Sequence, residues 1–531
     1  MRSWPAVAAL LLVAALFAGC SSAPEPRVVT PAAVDVDPTT VRVESVRIEN
    51  HTVLGDGGVD LAVRAYVPTL SAGAKPGLAL FVHGWGGNKE DYEGVQSLPV
   101  PTPAPVGTNR LQMFADAGLL VVAYDARGFG RSGGETTVAG PAEMADLHAV
   151  LVWAQSTFAT NGLAGVIGNS YGGGHAFNAW ADDPLVTTAV PIYGWVDLYD
   201  ALIPGNVPKA EWGEFLYLYG QAGTGRYSTM IHNWYADLYL RANLDTVRAE
   251  MDERSSLDRL ASTTKPLLVC QGMEESLFPQ IDQAWETAGG FTRAYVFRGG
   301  HGNAADGCWD RALDWFRFFL LGFDTRVDAW PALETVDAAS NVVTSYGTFP
   351  DAPSSSFHLR SGELYQGPAS EAPFTISQRL VANPLEEPAA LWDQTGMPTN
   401  ALPNQLRQDS GALFFQGPFM VAGTLVGAPE LTLALNGESP TPFQVAGTLL
   451  VLHEGGTSQI VSRGATAALD ADDIVNGTMT LRFHWTNLAL ESGDRIVLKL
   501  SANDPAWWMP LLANYDAVFD GRSELRLPIL V

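Results

Sequence analysis

Continuous apolar runs alternate with helix-like stretches through residues 78–321 of the chain. Six runs have the length and composition of buried parallel strands, at residues 78–82, 119–124, 163–167, 186–193, 265–270 and 294–297. Segments suited to helices lie between or after them, at residues 109–117, 142–158, 175–181 and 310–321. This alternation predicts an α/β domain with a largely parallel, doubly wound sheet, in which residues 294–297 form the last strand.

Two segments depart from this alternation. Residues 41–49 and 59–67 alternate apolar and polar positions on either side of a glycine-rich turn, which predicts an antiparallel hairpin at the start of the domain. Residues 199–254 fall between two predicted strands and combine helix-like stretches with many aromatic side chains. We interpret residues 199–256 as a helical cap over the strand ends, where the aromatic residues form core and, in part, binding surface.

The pattern changes again after Gly322. From residue 331 onward, short strand-like runs are separated by glycine, proline, asparagine and aspartate, which is typical of a β-sandwich. A chain of 531 residues is also too long for a single hydrophobic core. The predicted order is an α/β domain at residues 41–325 followed by an all-β sandwich at residues 330–531.

The first 40 residues have the composition of a targeting segment. Arg2 precedes an apolar run, residues 6–18, that is short for a membrane span and is followed by Cys20. Residues 21–40 are rich in proline, alanine, serine and threonine, which predicts a flexible linker. Residues 1–20 resemble a bacterial lipoprotein signal, although Phe17 stands where that signal usually has leucine. The resemblance implies an exported protein anchored to a membrane by lipid on Cys20; ordinary secretion and a retained anchor are the alternatives.

The net charge of the chain excludes one class of partner. The formal net charge of −26 would repel a phosphate backbone, so we expect no nucleic-acid binding.

If Cys20 carries lipid, Cys270 and Cys308 remain, and outside the cell they could pair. Because Cys270 lies inside an apolar strand-like run, we favour two buried free thiols.

A G-x-S-x-G motif with Ser170 at its centre follows the third predicted strand. Between a strand and a helix, this motif places the serine on a sharp turn, with the amides of the helix N-terminus close to its hydroxyl. A glycine-rich turn with an ordinary serine is the alternative, but the strand before it and the helix after it favour a nucleophile elbow. A serine hydroxyl is a weak nucleophile and needs a neighbouring base.

The residues that would activate Ser170 follow it in the order acid, then histidine. His301 lies in a glycine-lined loop after the last predicted strand, from which its imidazole can reach the sheet edge. Glu275 follows the strand at 265–270 and is the expected acid, with Glu274 as the alternative and Asp197 as the third choice.

Two backbone amides are the expected oxyanion hole, those of Tyr171 and Trp85. Tyr171 comes directly after the serine, and Trp85 follows His83 and Gly84 at the end of the first parallel strand. The charged, glycine-rich loop at residues 125–132 is predicted to be structural. No cofactor and no metal site is predicted.

Five short motifs together resemble the α/β-hydrolase pattern: His83-Gly84, Asp125-Ala-Arg-Gly128, Gly168-Asn-Ser-Tyr-Gly172, Gln271-Gly272 with Leu277-Phe-Pro279, and Gly300-His301. With the cap and the all-β tail, the chain resembles the X-Pro dipeptidyl-peptidase and cocaine-esterase group, which implies a jelly-roll C-terminal domain. Members of that group cleave dipeptides ending in proline, simple or aromatic esters, or side-chain amides of antibiotics. Glu275 departs from the commoner aspartate. Trp85 stands where related esterases carry a tyrosine in the oxyanion hole.

The leading hypothesis is an exported serine hydrolase that works through an acyl-enzyme and resembles a dipeptidyl-peptidase. A carboxylic-ester or acylase-type hydrolase of small acyl, carbohydrate or lipid esters is the second hypothesis. A non-catalytic surface binding protein is the third. A peptidase that reads a free N-terminus needs a carboxylate to meet the ammonium, and Glu211, Glu214 and Asp237 are the candidates in the cap.

Overall fold

A ten-stranded mixed sheet organises the N-terminal part of the computed structural model. The structure describes residues 29–94, 108–302, 307–338, 340, 342–378, 412–419, 421–437, 441–502, 508, 511 and 513–531. Residues Pro31–Val531 form one unit by their contacts. Among the described residues, no helix is both long enough and apolar enough to cross a membrane.

The strands of this sheet are β1 Val43–Leu54, β2 Asp60–Leu70, β3 Leu78–Val82, β4 Leu120–Tyr124, β5 Ala164–Asn169, β6 Val186–Ile192, β7 Leu267–Gly272, β8 Thr292–Phe297, β9 Leu333–Val336 and β10 Val343–Tyr346. Their order in the sheet is β1-β2-β4-β3-β5-β6-β7-β8-β9-β10. Strands β3 to β9 run parallel to one another, whereas β1, β2 and β10 pair antiparallel with their neighbours. All residues of β3 and β4 are buried, as expected for parallel strands covered on both faces.

Ten helices are numbered here within the described residues. They are α1 Arg110–Asp116, α2 Pro141–Thr157, α3 Tyr171–Asp182, α4 Leu198–Leu202, α5 Ala210–Ala222, α6 Thr229–Leu240, α7 Leu244–Asp252, α8 Leu257–Leu260, α9 Ile281–Thr287 and α10 Cys308–Leu321. Helix α1 begins where the Asn109 side chain accepts a hydrogen bond from the Gln112 amide, at 2.9 Å. Helix α10 ends at Gly322, whose φ of 76° is the left-handed conformation common after helices.

Helices α4 to α8 lie in sequence between β6 and β7, where the cap was predicted. Aromatic packing joins two of them, since the Tyr217 ring of α5 stacks on the Tyr235 ring of α6 with centroids 4.0 Å apart. The aromatic residues of the cap therefore form its core, and several also line the cleft described below.

The expectation that residues 294–297 end the sheet is wrong. Strand β9 pairs parallel to β8, and β10 then pairs antiparallel to β9. Each of the two added strands is only four residues long. They are too short for their apolar pattern to be distinguished from the strands that follow them in the chain.

The C-terminal region is all β, and its strands are β11 Ser354–Arg360, β12 Glu363–Tyr365, β13 Pro373–Gln378, β14 Ala412–Gln416, β15 Gly423–Gly427, β16 Glu430–Ala434, β17 Phe443–Leu452, β18 Ser458–Ala468, β19 Thr478–Arg482, β20 Thr486–Leu490, β21 Arg495–Ser501, β22 Tyr515–Asp520 and β23 Glu524–Leu530. Eleven of them form one sheet, and β13 pairs with β22. A bridge between Lys209 and Trp508 connects this region to the cap. The fold is thus an α/β-hydrolase domain followed by a β-sandwich, as predicted.

A disulfide joins Cys270 and Cys308, whose Cα atoms lie 6.2 Å apart. The preference for two free thiols is therefore wrong. Cys270 belongs to β7 and Cys308 begins α10, and both side chains are fully buried. An apolar run around a cysteine indicates burial, which a free thiol and a disulfide share, so it did not discriminate between them.

Candidate active site

Ser170 lies at the turn from β5 into α3, as the elbow motif predicts. Its φ of 56° is uncommon for a residue with a side chain, which marks a sharply bent backbone. The neighbouring glycines permit this turn, because a Cβ on Gly172 would collide with the Val82 carbonyl oxygen, and one on Gly168 would collide with Gly172 itself. The close approach of β3, β5 and α3 thus depends on both glycines.

The structure brings Ser170, His301 and Glu275 together in a continuous chain of contacts. His301 Nε2 lies 2.7 Å from Ser170 Oγ. On the other side of the ring, His301 Nδ1 lies 2.9 Å from Glu275 Oε2 and 3.0 Å from Oε1. A neutral imidazole that donates from Nδ1 to the carboxylate has its Nε2 lone pair available to the serine hydroxyl.

Glu275 is held as a carboxylate. Burial raises its pKa, but the contact with His301 and the amides of Phe278 and Leu277 outweigh burial, so that its pKa is lowered. These two amides donate to Glu275 Oε1 at 3.0 and 2.7 Å. Both oxygens of Glu275 lie within 3.0 Å of His301 Nδ1, which is the geometry of an orienting acid.

The alternative acids lie elsewhere. Glu274 Oε1 pairs with Arg298 Nε at 2.8 Å, and its Oε2 accepts from the Gly299 amide at 2.6 Å. Asp197 is the N-cap of α4, where its carboxylate accepts from the Asp200 amide at 2.9 Å. Of the three candidate acids, the structure places Glu275 at His301.

An aromatic enclosure surrounds His301. The ring centroids of Tyr193, Trp212 and Phe278 lie 4.9, 5.3 and 5.4 Å from the imidazole. Exclusion of water strengthens electrostatic contacts within the site. Sequence reasoning did not assign these residues to the site, although the aromatic content of the cap was the available signal for Trp212.

The predicted oxyanion residues, Tyr171 and Trp85, line the same cleft as Ser170. Tyr171 begins α3, where the first amides of a helix have no partner within the helix. The Trp85 side chain is used otherwise, because its Nε1 donates to the Leu216 carbonyl oxygen of α5 at 2.7 Å. The backbone of Trp85 thus remains the part of this residue suited to an oxyanion hole.

A second buried glutamate–histidine pair lies beneath the elbow, and sequence reasoning missed it. Glu143 Oε2 accepts from the Tyr171 hydroxyl at 2.5 Å and lies 3.2 Å from His175 Nε2. Burial alone would raise the pKa of Glu143, but His175, the Tyr171 hydroxyl and the Thr137 amide lower it to about 2. This pair fixes the residue that follows the candidate nucleophile.

An apolar cleft opens from Ser170 into the cap and encloses about 880 Å³ of empty space, including its mouth. Its lining consists of Trp85, Val138, Ser170, Tyr171, Trp195, Leu198, Leu202, Pro208, Lys209, Gly213, Leu216, Tyr217, Ile231, Trp234, Tyr235, Leu238, Tyr239, Met251 and Phe278. Among these described residues Lys209 is the only charged one. Glu214 and Asp237 do not line the cleft, and the side chain of Glu211 lies outside the described part of the chain.

The loop at residues 125–132 carries two buried ion pairs, consistent with the structural role predicted for it. Lys89 Nζ donates to Asp125 Oδ2 at 2.8 Å, and Arg127 Nε donates to Asp146 Oδ2 at 2.6 Å. Within the described ranges, no group of three or more histidine, cysteine, aspartate or glutamate side chains is arranged to hold a metal ion.

The fold and the elbow define the class of protein, an α/β-hydrolase fold joined to a β-sandwich. Residues 56–292 match the family model described as X-Pro dipeptidyl-peptidase (S15 family). This match confirms the resemblance drawn from the sequence motifs and supports a hydrolase.

Solved structures of similar fold span nearly the whole chain. A CocE/NonD family hydrolase from Staphylococcus aureus is 14% identical with a TM-score of 0.67, over 95% of this chain and 99% of the other. An aminopeptidase from a marine-sediment Thaumarchaeota archaeon is 14% identical with a TM-score of 0.68, over 97% and 100%. An α-amino acid ester hydrolase is 15% identical with a TM-score of 0.65, over 96% and 100%. At these identities the likeness concerns the fold.

A curated relative is an uncharacterized 31.7 kDa protein of Escherichia coli, encoded in the traX–finO intergenic region. It is 36% identical over 105 residues, which cover 19% of this chain. The match spans 36% of the length of that relative.

Proposed function

We propose that this protein is a serine hydrolase that forms an acyl-enzyme on Ser170, with His301 as general base and Glu275 as orienting acid. The observation that carries the proposal is the contact between His301 Nε2 and Ser170 Oγ, 2.7 Å long, at a strained elbow. A binding module does not require a serine, a histidine and a glutamate in a continuous chain of contacts, so the non-catalytic hypothesis loses its support.

Acylation begins when His301 Nε2 takes the hydroxyl proton as Ser170 Oγ attacks the substrate carbonyl carbon. The imidazolium that forms is stabilised by Glu275, whose carboxylate is already ionised and hydrogen-bonded. The proton then passes to the leaving alcohol or amine, and the acyl group stays on Ser170. Water repeats the sequence in deacylation, with His301 again as base, and releases the carboxylic acid.

The amides of Tyr171 and Trp85 are the proposed donors to the oxyanion. Tyr171 stands at the N-terminus of α3, where the helix dipole favours negative charge. Loss of one such donor typically costs about 3–4 kcal/mol of transition-state stabilisation. Fixation of Tyr171 by Glu143 and of Trp85 by the Leu216 carbonyl keeps both positions rigid.

The cleft favours an ester with an apolar acyl group as substrate. Its lining next to Ser170 is aliphatic and aromatic, and its one charged described residue, Lys209, donates to backbone carbonyl oxygens. A substrate ammonium in this cleft would lose its hydration without a described carboxylate to meet it, which is unfavourable. The match to the S15 family favours the second candidate, a dipeptidyl-peptidase, in which Glu211 would be the carboxylate to test.

Hydrolysis of a matched substrate panel tests the proposal. We expect p-nitrophenyl butyrate and hexanoate to be cleaved with higher kcat/KM than Ala-Pro-p-nitroanilide, and S170A to lose all three activities. Activity retained by S170A would overturn the serine mechanism. A clear preference for the Ala-Pro substrate that is abolished in E211Q would favour the dipeptidyl-peptidase hypothesis over the ester-hydrolase hypothesis.

We further propose that the protein is exported and carries lipid on Cys20, which lies outside the described residues. Disulfides persist in oxidising compartments, so the Cys270–Cys308 bridge supports export. The native protein should partition with membranes, and C20A should release it or leave it unprocessed. A soluble native protein with an N-terminus beyond Cys20 would contradict the lipid anchor.

A further inference from the structure

Lys209 is a buried lysine at the junction of the cap, the acid loop and the β-sandwich. It precedes α5 as its N-cap residue, and its backbone pairs with Trp508 of the all-β region. Its relative exposure is 5%, although lysine is rarely buried unless its ammonium is bound. Such a position requires a specific set of acceptors.

The acceptors are two consecutive carbonyl oxygens that follow Glu275. Lys209 Nζ donates to the Ser276 carbonyl oxygen at 2.6 Å and to the Leu277 carbonyl oxygen at 2.9 Å. The N–H groups of the same two peptide units, on Leu277 and Phe278, donate to Glu275 Oε1 at 2.7 and 3.0 Å. Two peptide groups therefore lie between an ammonium on one side and the carboxylate on the other.

We propose that Lys209 is a positioning residue for the reaction, which fixes and polarises the two peptide groups that hold Glu275 against His301. This inference rests on the proposed function of Ser170, His301 and Glu275. An ammonium on a carbonyl oxygen makes the N–H of that peptide a stronger donor, since linked hydrogen bonds polarise one another. The effect reaches Ser170 through Glu275 and His301.

Burial and the neighbouring carboxylates act in opposite directions on the charged form of Lys209 that this role requires. Burial lowers its pKa to about 7, while the charges of Glu275 and Asp200 act in the opposite direction. On the sandwich side, His484 and Arg463 line a cavity with Lys209, and Glu274 lines it from the acid loop. Glu275 is thus one of the two carboxylates that favour the charged form of this lysine.

Lys265 supplies a matched control. Its Nζ also donates to two backbone carbonyl oxygens, those of Trp180 at 3.0 Å and Asp183 at 2.7 Å. Burial lowers the pKa of Lys265 as well. Neither acceptor belongs to the loop that holds Glu275, so K265M removes an equivalent structural contact without touching the acid.

The test compares wild type, K209M, K209R and K265M as full-length proteins. Two quantities are measured: the pH dependence of kcat/KM for p-nitrophenyl butyrate, and the rate at which a fluorophosphonate labels Ser170. We expect K209M to lose about ten-fold or more in both rates, because hydrogen bonds to charged groups are among the stronger ones. We also expect its acid limb to move to higher pH, because His301 is protonated more readily once a nearby positive charge is gone. K265M should keep the wild-type profile.

K209R keeps a permanent charge and should restore the wild-type position of the acid limb even if its maximal rate is lower. It also provides the answer if K209M fails to fold: an acid limb at the wild-type pH in K209R supports the proposal, and one shifted to higher pH opposes it. Equal rates and coincident pH profiles in K209M and K265M would overturn the role of Lys209. If the wild type is still labelled on Ser170, the proposed serine mechanism would stand. Absence of label in the wild type would overturn both proposals.

Discussion

Two buried glutamate–histidine pairs contact the elbow, and they differ in what faces the histidine. In one pair, Glu275 binds His301, whose second nitrogen reaches Ser170 Oγ. In the other, Glu143 lies beside His175, whose Nδ1 lies 3.0 Å from the Tyr171 carbonyl oxygen, within its own helix. The residue types are the same, so chemistry depends on whether the imidazole meets a hydroxyl or a backbone carbonyl.

The comparison explains why residue type alone does not identify a catalytic pair. His301 contacts Ser170, and Ser170 lines the apolar cleft. His175 is a fully buried residue of α3, and its ring nitrogens contact Glu143 and the Tyr171 carbonyl oxygen. We therefore propose proton transfer for the first pair and support of the Tyr171 backbone for the second.

Replacement of the two histidines should break the comparison most clearly. H301A should lower kcat/KM by about 10⁴–10⁶, because serine and histidine act as a unit. H175A should keep kcat/KM within about ten-fold of wild type while lowering the free energy of unfolding by about 3 kcal/mol, since it leaves the Glu143 carboxylate buried without its contact to the imidazole. Steady-state kinetics and denaturant unfolding on both variants measure this, and an equal catalytic loss in the two would contradict the assignment.

Replacement of the adjacent glutamates has the next largest effect. E275Q should reduce kcat by up to about 10⁴, because an amide can hold the imidazole in the wrong tautomer. E274Q changes a partly exposed carboxylate that binds Arg298 and the Gly299 amide, so we expect a mild loss. The ratio of the two kcat values is the measurement. Equal mild losses would direct attention to Asp197.

Removal of the disulfide should destabilise the protein through the segments that carry the first pair. The bridge joins the strand that leads to Glu275 with the helix that follows the His301 loop. The double variant C270S/C308S should lower the free energy of unfolding by about 2–4 kcal/mol. Reduced wild type should likewise have a lower free energy of unfolding than oxidised wild type. An unchanged free energy of unfolding in both experiments would show that the bridge does not contribute to stability.

The second pair should contribute a pH-dependent part of stability. The pKa of Glu143 falls from 4.5 to about 2 in the folded state, so its contribution is present above pH 4.5 and is lost as pH falls toward 2. E143Q should lower the free energy of unfolding at neutral pH by about 2 kcal/mol and flatten its acid dependence. The exposed Glu253 provides the control, since E253Q should leave the pH dependence of the free energy of unfolding unchanged. An E143Q curve that runs parallel to the wild-type curve would contradict the assignment.

Local patterns in the sequence predicted the first pair but could not predict the second. Ser170 carries a motif, and His301 and Glu275 follow predicted strands in a fixed chain order, so each had a positional signal. Glu143 lies on an ordinary helix and meets His175 only through packing of α2 on α3, which no short pattern encodes.

The same limit applies to other features that depend on contacts between distant segments. The short strands β9 and β10, the Cys270–Cys308 bridge and the contact of Lys209 with the acid loop all join segments that lie far apart in the chain or carry no distinct periodicity. By contrast, the parallel strands, the cap and the sandwich were predictable, because each produces a hydrophobic pattern within its own length.

Labelling with a fluorophosphonate tests the central claim most directly, because an unassisted serine hydroxyl does not attack phosphorus at neutral pH. Wild type, S170A, H301A and H175A are labelled under the same conditions, and the modified peptide is identified by mass spectrometry. We expect label on Ser170 in wild type and H175A, and none in S170A or H301A. Label on another serine, or labelling of Ser170 that survives H301A, would contradict the claim that His301 activates Ser170.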